Sequence, residues 1–193
     1  MPKNKVFGQA GGGVALEWNK AGIPHKGWSC VDVEDIAEYF DDAEEIEYEQ
    51  CEMCGRERIR FVHIMRHPDY PDELRVGCVC AEKMSDDYVN PRRAEDTLKK
   101  RAVRRKNFNR KEWSYNPAKN TYSKKYKGEY ITIMQGRYGN WGVFFAGKRI
   151  WDYDGSKIRS MEEAERIAFE VFEQYHTTQE ERELQFWLEQ RRF

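Results

Sequence analysis

Residues 51–80, CEMCGRERIRFVHIMRHPDYPDELRVGCVC, contain four of the five cysteines of the chain. The first pair is Cys51-x2-Cys54 and the second pair is Cys78-x-Cys80. The stretch between them predicts a β-hairpin, because two runs with alternating apolar residues, RIRFVHIM and LRVG, flank a turn sequence, HPDYPDE. The return of such a hairpin brings the second cysteine pair to the first, as a tetrahedral metal site requires. The stretch therefore predicts a structural zinc site with these cysteines as ligands.

Three alternatives to a four-cysteine zinc site rest on the same residues. A disulfide is disfavoured in a reducing cytosol, and a redox CxxC pair belongs on a βαβ unit that the predicted hairpin does not provide. Unligated core cysteines are the third alternative. Within the zinc hypothesis, Cys80 is a stronger ligand candidate than Cys78, and the fourth ligand stays open. The residues that could replace Cys78 are His25, Cys30, His63 and His67; Cys30 is otherwise a buried free thiol.

The CxxC knuckle, the hairpin and a cysteine pair at the start of a short helix, AEKM, resemble the treble-clef class of zinc fingers. The resemblance covers roughly residues 49–88. The residues that carry it are Cys51, Cys54, Gly55, Gly77, Cys78 and Cys80. Treble clefs usually present CxxC at the second pair, where this chain has CxC. The resemblance implies a closed zinc site that stabilises a small module and has no open position for catalysis.

The composition predicts folded modules with modest cores. Charged residues make up 35% of the chain and hydrophobic residues 39%, which is too much apolar surface for a disordered chain. The amino-terminal sequence MPKNKVFGQ lacks the apolar stretch of a signal peptide, and no run approaches the roughly 18 apolar residues of a membrane helix. We therefore expect a cytoplasmic protein with no membrane partner. The net charge of −1 combines an acidic segment with a basic one.

The acidic segment, residues 31–50, has no Lys or Arg. Its acidic side chains are Asp32, Glu34, Asp35, Glu38, Asp41, Asp42, Glu44, Glu45, Glu47 and Glu49. Asp32 can cap a helix whose apolar side chains recur at helical spacing. These side chains are Val33, Ile36, Ala37 and Phe40. Three roles are open for the predicted acidic helix. Its acidic face is a solvated surface, a shield that covers the basic segment, or a docking surface for a protein partner through residues 32–49.

The basic segment begins with a polar helix, RRAEDTLKKRAVRRKNF, that Asn90 and Pro91 can start. Residues 92–127 carry fourteen Lys and Arg against three acidic residues, with aromatic residues interleaved. Cations neutralise phosphates and aromatic faces stack on bases, so the segment predicts a nucleic-acid-binding surface. The residues assigned to it are Lys99, Lys100, Arg101, Arg104, Arg105, Lys106, Arg110, Lys111, Trp113 and Tyr115. The alternative is a solvated helix that the acidic segment neutralises.

From Tyr130 the pattern changes to short β runs, EYITIMQG, WGVFFAG and RIWDYDG, which predict a three-stranded antiparallel sheet. Ser160 and Glu163 form a capping box that opens an amphipathic helix packed on this sheet, and a last helix begins near Thr177 or Thr178. The fold class is therefore α+β. Three parts are expected: a zinc-stapled module with the acidic helix (1–90), a basic helix and linker (91–128), and a sheet-and-helix module (129–193).

Residues 129–175 also resemble the AP2-like and integrase-arm DNA-binding modules. The matching residues are Gly139, Trp141, Arg149, Ser160, Glu163 and Ala164. Arginines are few near the strands, with Arg137 and Arg149 the only ones. The resemblance implies a three-stranded sheet, backed by a helix, that reads the major groove of DNA.

Three functional hypotheses follow. The first is a non-enzymatic, zinc-containing nucleic-acid-binding protein, with DNA favoured, that holds phosphates through its basic helix. The second is a protein-binding adaptor or inhibitor, of the type found on phages and mobile elements, that acts through its acidic helix. The third is a metal-dependent nuclease of the ββα-metal type. Its candidate groups are His63, His67, Asp69, Asp72 and Glu73. The helix that follows the cysteines lacks the histidine of such nucleases, so the sequence favours a protein that is not an enzyme.

Overall fold

Four helices and three antiparallel sheets form in the part of the chain that the computed structural model describes, residues 18, 20–38, 40, 46–177 and 179–190. This content confirms the predicted α+β class. The chain divides into two units, Met1–Leu98 with Phe186–Phe193, and Lys99–Gln185. No helix in the described residues has the length and apolarity needed to cross a membrane.

The first unit contains one sheet, in the order β1-β2-β3. Its elements are β1 (Ser29–Asp35), β2 (Phe61–His67), β3 (Tyr70–Val76), α1 (Cys78–Ser85) and the first part of α2 (Asn90–Asn109). The predicted hairpin is β2–β3, with a shorter turn than expected, because β3 already begins at Tyr70. Helix α1 begins at Cys78, three residues before the AEKM sequence predicted to begin it, and so contains both cysteines of the second pair. Val31, Val62 and Ile64 form a small core between the strands.

The prediction of a helix that begins at Asp32 is wrong, because residues 29–35 form strand β1 and pair with β2. Val31 and Val33 are buried, whereas the acidic residues between and after them are not, which is the period-two pattern of a half-buried strand. The helical spacing from Val33 to Phe40 was a weaker signal than this alternation. Asp41, Asp42, Glu44 and Glu45 lie outside the described residues. The adaptor hypothesis thus loses the helix on which it rested.

The second unit contains a five-stranded sheet, in the order β4-β5-β6-β7-β8, and a two-stranded ribbon. Its elements are β4 (Ser114–Asn116), β5 (Thr121–Tyr126), β6 (Glu129–Gln135), β7 (Trp141–Phe145), β8 (Lys148–Ile150), β9 (Asp152–Tyr153), β10 (Ser156–Lys157) and α3 (Met161–His176). Helix α4 (Gln179–Glu189) follows α3. The predicted sheet therefore has two additional strands, β4 and β5, which both lie within residues 91–128, where we expected a basic helix and a linker.

Helix α3 packs on one face of the five-stranded sheet. Ile131, Ile133, Val143 and Phe145 on the strands are buried against the apolar residues of the helix. The helix residues in this core are Ala164, Ile167, Ala168, Phe169 and Phe172, and α2 adds Phe108. The capping interaction predicted at the start of α3 is present, with Glu163 N donating to Ser160 Oγ at 3.1 Å. The opposite face of the sheet is not part of this core.

Candidate metal centre and nucleic-acid interface

The CxxC sequence forms a tight turn that is fixed by its own backbone. Gly55 N donates to Cys51 O at 2.8 Å, and Cys51 N donates to Arg56 O at 2.8 Å. Gly55 has a φ of +69°, a conformation that glycine adopts at little cost. The turn therefore depends on the residue that immediately follows the second cysteine.

Three cysteine sulfurs converge where this turn meets the start of α1. The sulfur atoms of Cys51, Cys54 and Cys80 all lie within 4.8 Å of one another. Cys51 and Cys80 are buried and Cys54 is half-buried. Sulfur ligands at this separation from a CxxC turn and a helix start suit a tetrahedrally coordinated metal ion. These residues therefore fit a metal-binding site.

The electrostatics of this group favour a thiolate at Cys51. A hydrogen bond from Cys80, together with backbone N–H donors that include Gly77 N at 3.4 Å, lowers the pKa of Cys51 to about 5 despite its burial. The pKa of Cys80 is raised, because its proton is shared with Cys51 and its thiol is buried. A bound cation would replace that shared proton, since metal binding by thiols releases protons.

Cys78 belongs to a different group. Its sulfur lies within 4.8 Å of potential ligand atoms of His63 and Glu95. Both cysteines of the CxC pair lie in the first turn of α1, where two residues differ by about 200° around the helix axis. The two sulfurs therefore cannot face the same ion. Burial and the carboxylates of Glu95 and Glu82 raise the pKa of Cys78 to about 12.

The other residues considered as a fourth ligand make other contacts. His67 Nδ1 accepts a hydrogen bond from Asp69 N at 3.0 Å. The His25 ring packs edge-on against Trp18, with ring centroids 5.6 Å apart. Cys30 lies against His63 rather than with the three sulfurs. In the described part of the chain, the first group thus consists of three cysteines.

The nuclease hypothesis finds no assembled site in the described residues. His67, Asp69, Asp72 and Glu73 do not come together in any group of three potential metal ligands there, and His63 lies with Cys78 and Glu95 rather than with the other nuclease candidates. Glu73 instead forms an ion pair with Arg66 on the neighbouring strand.

Three of the arginines assigned to phosphates contact α3 instead. Arg101 Nη2 donates to both carboxylate oxygens of Glu170, at 2.8 and 2.6 Å. Arg104 donates from both Nε and Nη2 to the carboxylate of Glu173. The Arg105 guanidinium lies 5.9 Å from the centre of the Phe169 ring.

The remaining residues assigned to nucleic acid differ in their exposure. Trp113 is half-buried and packs edge-on against Phe108, with ring centroids 6.2 Å apart. The exposed residues are Lys99, Lys100, Lys106, Arg110, Lys111 and Tyr115. The basic helix is thus divided between cations that hold the fold together and cations that face solvent.

The face of the five-stranded sheet opposite α3, which we call the outer face, carries exposed aromatic residues and cations. Tyr130 is 65% exposed and Phe144 is 36% exposed. In the strand register, Lys125 is opposite Tyr130, and Arg149 is opposite Phe144. Lys125 Nζ lies 5.5 Å from the centre of the Tyr130 ring, a cation–π contact.

The charge around the outer face is strongly positive. Between residues 114 and 151, Glu129 is the single acidic residue. The cations of this stretch are Lys119, Lys124, Lys125, Lys127, Arg137, Lys148 and Arg149. All except the buried Lys124 are exposed. Sequence reasoning assigned the aromatic residues of these strands to the core. The alternation of Tyr130 and Thr132 with Ile131 and Ile133 is the signal that could have separated the two faces.

In comparisons with known proteins, no family model, no curated protein and no solved structure matches this chain. The resemblances to treble-clef zinc fingers and to AP2-like and integrase-arm modules therefore stay predictions.

Proposed function

We propose that this chain is a non-enzymatic protein that binds single-stranded nucleic acid across the outer face of its five-stranded sheet. One observation carries the proposal: Lys125, Tyr130, Phe144 and Arg149 follow one another on four neighbouring strands. We call these four residues the aromatic line. They present a cation, two rings and a second cation in that order.

The dimensions of the aromatic line suit a short stretch of nucleic acid. Neighbouring strands lie about 4.8 Å apart, so the terminal cations are separated by roughly 15 Å across the sheet. Tyr130 and Phe144 are diagonal neighbours, since Phe144 pairs with Thr132 on the same face. Two adjacent rings can stack on two unpaired bases, while the cations at either end neutralise phosphates.

Single-stranded nucleic acid is favoured over a duplex because stacking on side chains requires bases that are not stacked on each other. The basic helix is a weaker candidate for this interface. Two of its arginines, Arg101 and Arg104, are already paired with carboxylates. The carboxylate of such a pair neutralises the charge of the arginine and occupies donors that would otherwise be available to phosphate. The proposal therefore moves the expected interface from the helix to the sheet.

We further propose that the ion held by Cys51, Cys54 and Cys80 is zinc and that its role is structural. A CxxC turn and a helix start that supply thiolates are typical ligands of structural zinc, and soft sulfur donors disfavour magnesium and calcium. The knuckle, hairpin and helix would then form a treble-clef-type module in a reducing compartment such as the cytoplasm. Three thiolates leave a fourth position, which water or a further donor can occupy.

The test is fluorescence anisotropy of the full-length protein with labelled single-stranded DNA, single-stranded RNA and double-stranded DNA at two salt concentrations. Tyr130→Ala and Phe144→Ala should each weaken single-strand binding roughly 5- to 150-fold, which corresponds to about 1–3 kcal/mol per stacked base. Tyr175→Ala is the matched control, because Tyr175 is 61% exposed but lies on α3, on the other side of the sheet.

Variants that remove a positive charge distinguish binding by the sheet from binding by the basic helix. Lys125→Ala and Arg149→Ala should each reduce affinity and the steepness of its salt dependence. If the triple variant Lys99→Ala, Lys100→Ala and Lys106→Ala instead abolishes binding while Tyr130→Ala has no effect, the interface is the basic helix. Absence of binding to every probe at low salt would refute the proposal.

A further inference from the structure

A second group of metal-ligating side chains forms in the first unit. It joins His63 on β2, Cys78 at the start of α1 and Glu95 on α2, and their potential ligand atoms lie within 4.8 Å of one another. We propose that this group binds a second divalent metal ion of the zinc type, separate from the ion of the three-cysteine group.

His63 places its two ring nitrogens between Cys30 and Glu95. Nδ1 lies 3.8 Å from Sγ of Cys30, and Nε2 lies 3.1 Å from Oε2 of Glu95. When the proton of the neutral imidazole is on Nδ1, the lone pair of Nε2 is directed toward this carboxylate, and the two groups can coordinate one cation.

The third member of the group favours the metal ion. The sulfur of Cys78 lies within 4.8 Å of potential ligand atoms of both His63 and Glu95, so a single metal ion can be coordinated by all three side chains. Nitrogen and oxygen ligands at about 2.0–2.1 Å in a tetrahedral site are separated by roughly 3.3 Å, close to the observed distance. A mixed sulfur, imidazole and carboxylate set suits zinc rather than magnesium or calcium.

The surroundings of the group are also those of a metal site. Metal-binding histidines are usually oriented by a partner on their other ring nitrogen, and Cys30 occupies this place for His63. The His63 side chain is fully buried, Glu95 is 16% exposed and Cys78 is half-buried. Glu95 and Cys78 are therefore the more accessible members of the group, and water can supply a fourth ligand from their side.

The experiment measures metal ions per chain in the full-length protein, purified under reducing conditions from zinc- or cobalt-supplemented medium, by mass spectrometry of the metal. We expect two ions per chain in the wild type. Cys78→Ser and Glu95→Gln should each lose one ion, and in the cobalt protein Cys78→Ser should weaken the sulfur-to-cobalt absorption band. Glu82→Gln is the matched control and should lose none, because Glu82 is a buried carboxylate beside Cys78 that pairs with Arg92.

Circular dichroism of each variant checks that it is folded, and the isosteric Glu95→Gln keeps the test valid if Cys78→Ser does not fold. Retention of the wild-type metal content by folded Cys78→Ser or by folded Glu95→Gln would overturn the second site.

Discussion

Arg104 donates from Nε and Nη2 to the carboxylate of Glu173, at distances between 2.6 and 3.0 Å. One helical turn earlier, Arg101 and Glu170 form the equivalent pair. Two arginines three residues apart on α2 thus match two glutamates three residues apart on α3. Each side chain of the Arg104–Glu173 pair is less than a quarter exposed. These pairs align the two helices. They also neutralise two arginines that the sequence alone assigns to nucleic-acid binding.

Glu173→Gln should destabilise the protein by about 1–3 kcal/mol, because it leaves the Arg104 guanidinium without its charged acceptor in a largely buried place. Urea denaturation measures the change, and Glu112→Gln, at an exposed position, is the control. Nucleic-acid affinity should not fall in Glu173→Gln. A loss of affinity without a loss of stability would show that Glu173 acts in binding rather than in helix packing.

Cys54→Ser should reduce the metal content of the chain and abolish the cooperative thermal transition of the first unit, since metal binding and folding are coupled in small metal-stapled modules. Metal analysis and a circular dichroism melt provide the two measurements. Glu57→Gln, an exposed change in the same loop, should retain both properties. A Cys54→Ser protein with an unchanged melting temperature would contradict a structural role for the ion.

Lys124→Met should change how stability depends on pH. Burial lowers the pKa of Lys124 to about 8, from an ordinary value of 10.5. Between about pH 8 and 10.5 the unfolded chain binds a proton that the folded chain has lost, so the unfolding free energy rises with pH, by up to about 3 kcal/mol. This rise should be present in the wild type and in Lys125→Met, and absent in Lys124→Met. An identical pH profile in Lys124→Met would contradict the lowered pKa.

Gly142→Ala should destabilise the second unit by about 1–3 kcal/mol through overpacking. A Cβ atom at residue 142 would lie 2.5 Å from Cε3 of Trp151, whose ring covers this glycine. The losses in unfolding free energy, measured in urea, should be less than additive when Gly142→Ala is combined with Trp151→Ala, because the second change removes the clash. Strict additivity would mean that the two residues are independent.

The elements with regular apolar spacing and clear caps were predictable from the sequence. The hairpin, the helix after the cysteines and the start of α3 at Ser160 all follow from local signals. Strand β5 was missed because its inward positions are Tyr122, Lys124 and Tyr126, and a lysine in the centre hides the alternation. That lysine is accommodated by contacts that no local pattern indicates, a hydrogen bond to Phe108 O and two aromatic faces.

The candidate sites were predictable to the extent that they depend on spacing. Cys51 and Cys54 form a turn by themselves, and the hairpin brings Cys80 to them. The placement of Cys78 depends on whether the CxC pair is extended or helical, and only the tertiary structure decides this. The pairing of Arg101 and Arg104 joins residues 69 positions apart, which a single sequence does not reveal.

Helix α1 has only eight residues. Isolated helices shorter than about 12–15 residues are marginal in water, so α1 exists because tertiary contacts hold it, with sulfur atoms on two of its sides. Its backbone amides are consequently a natural reporter. Their rate of hydrogen exchange would record the opening of the three-cysteine group in the intact protein, residue by residue.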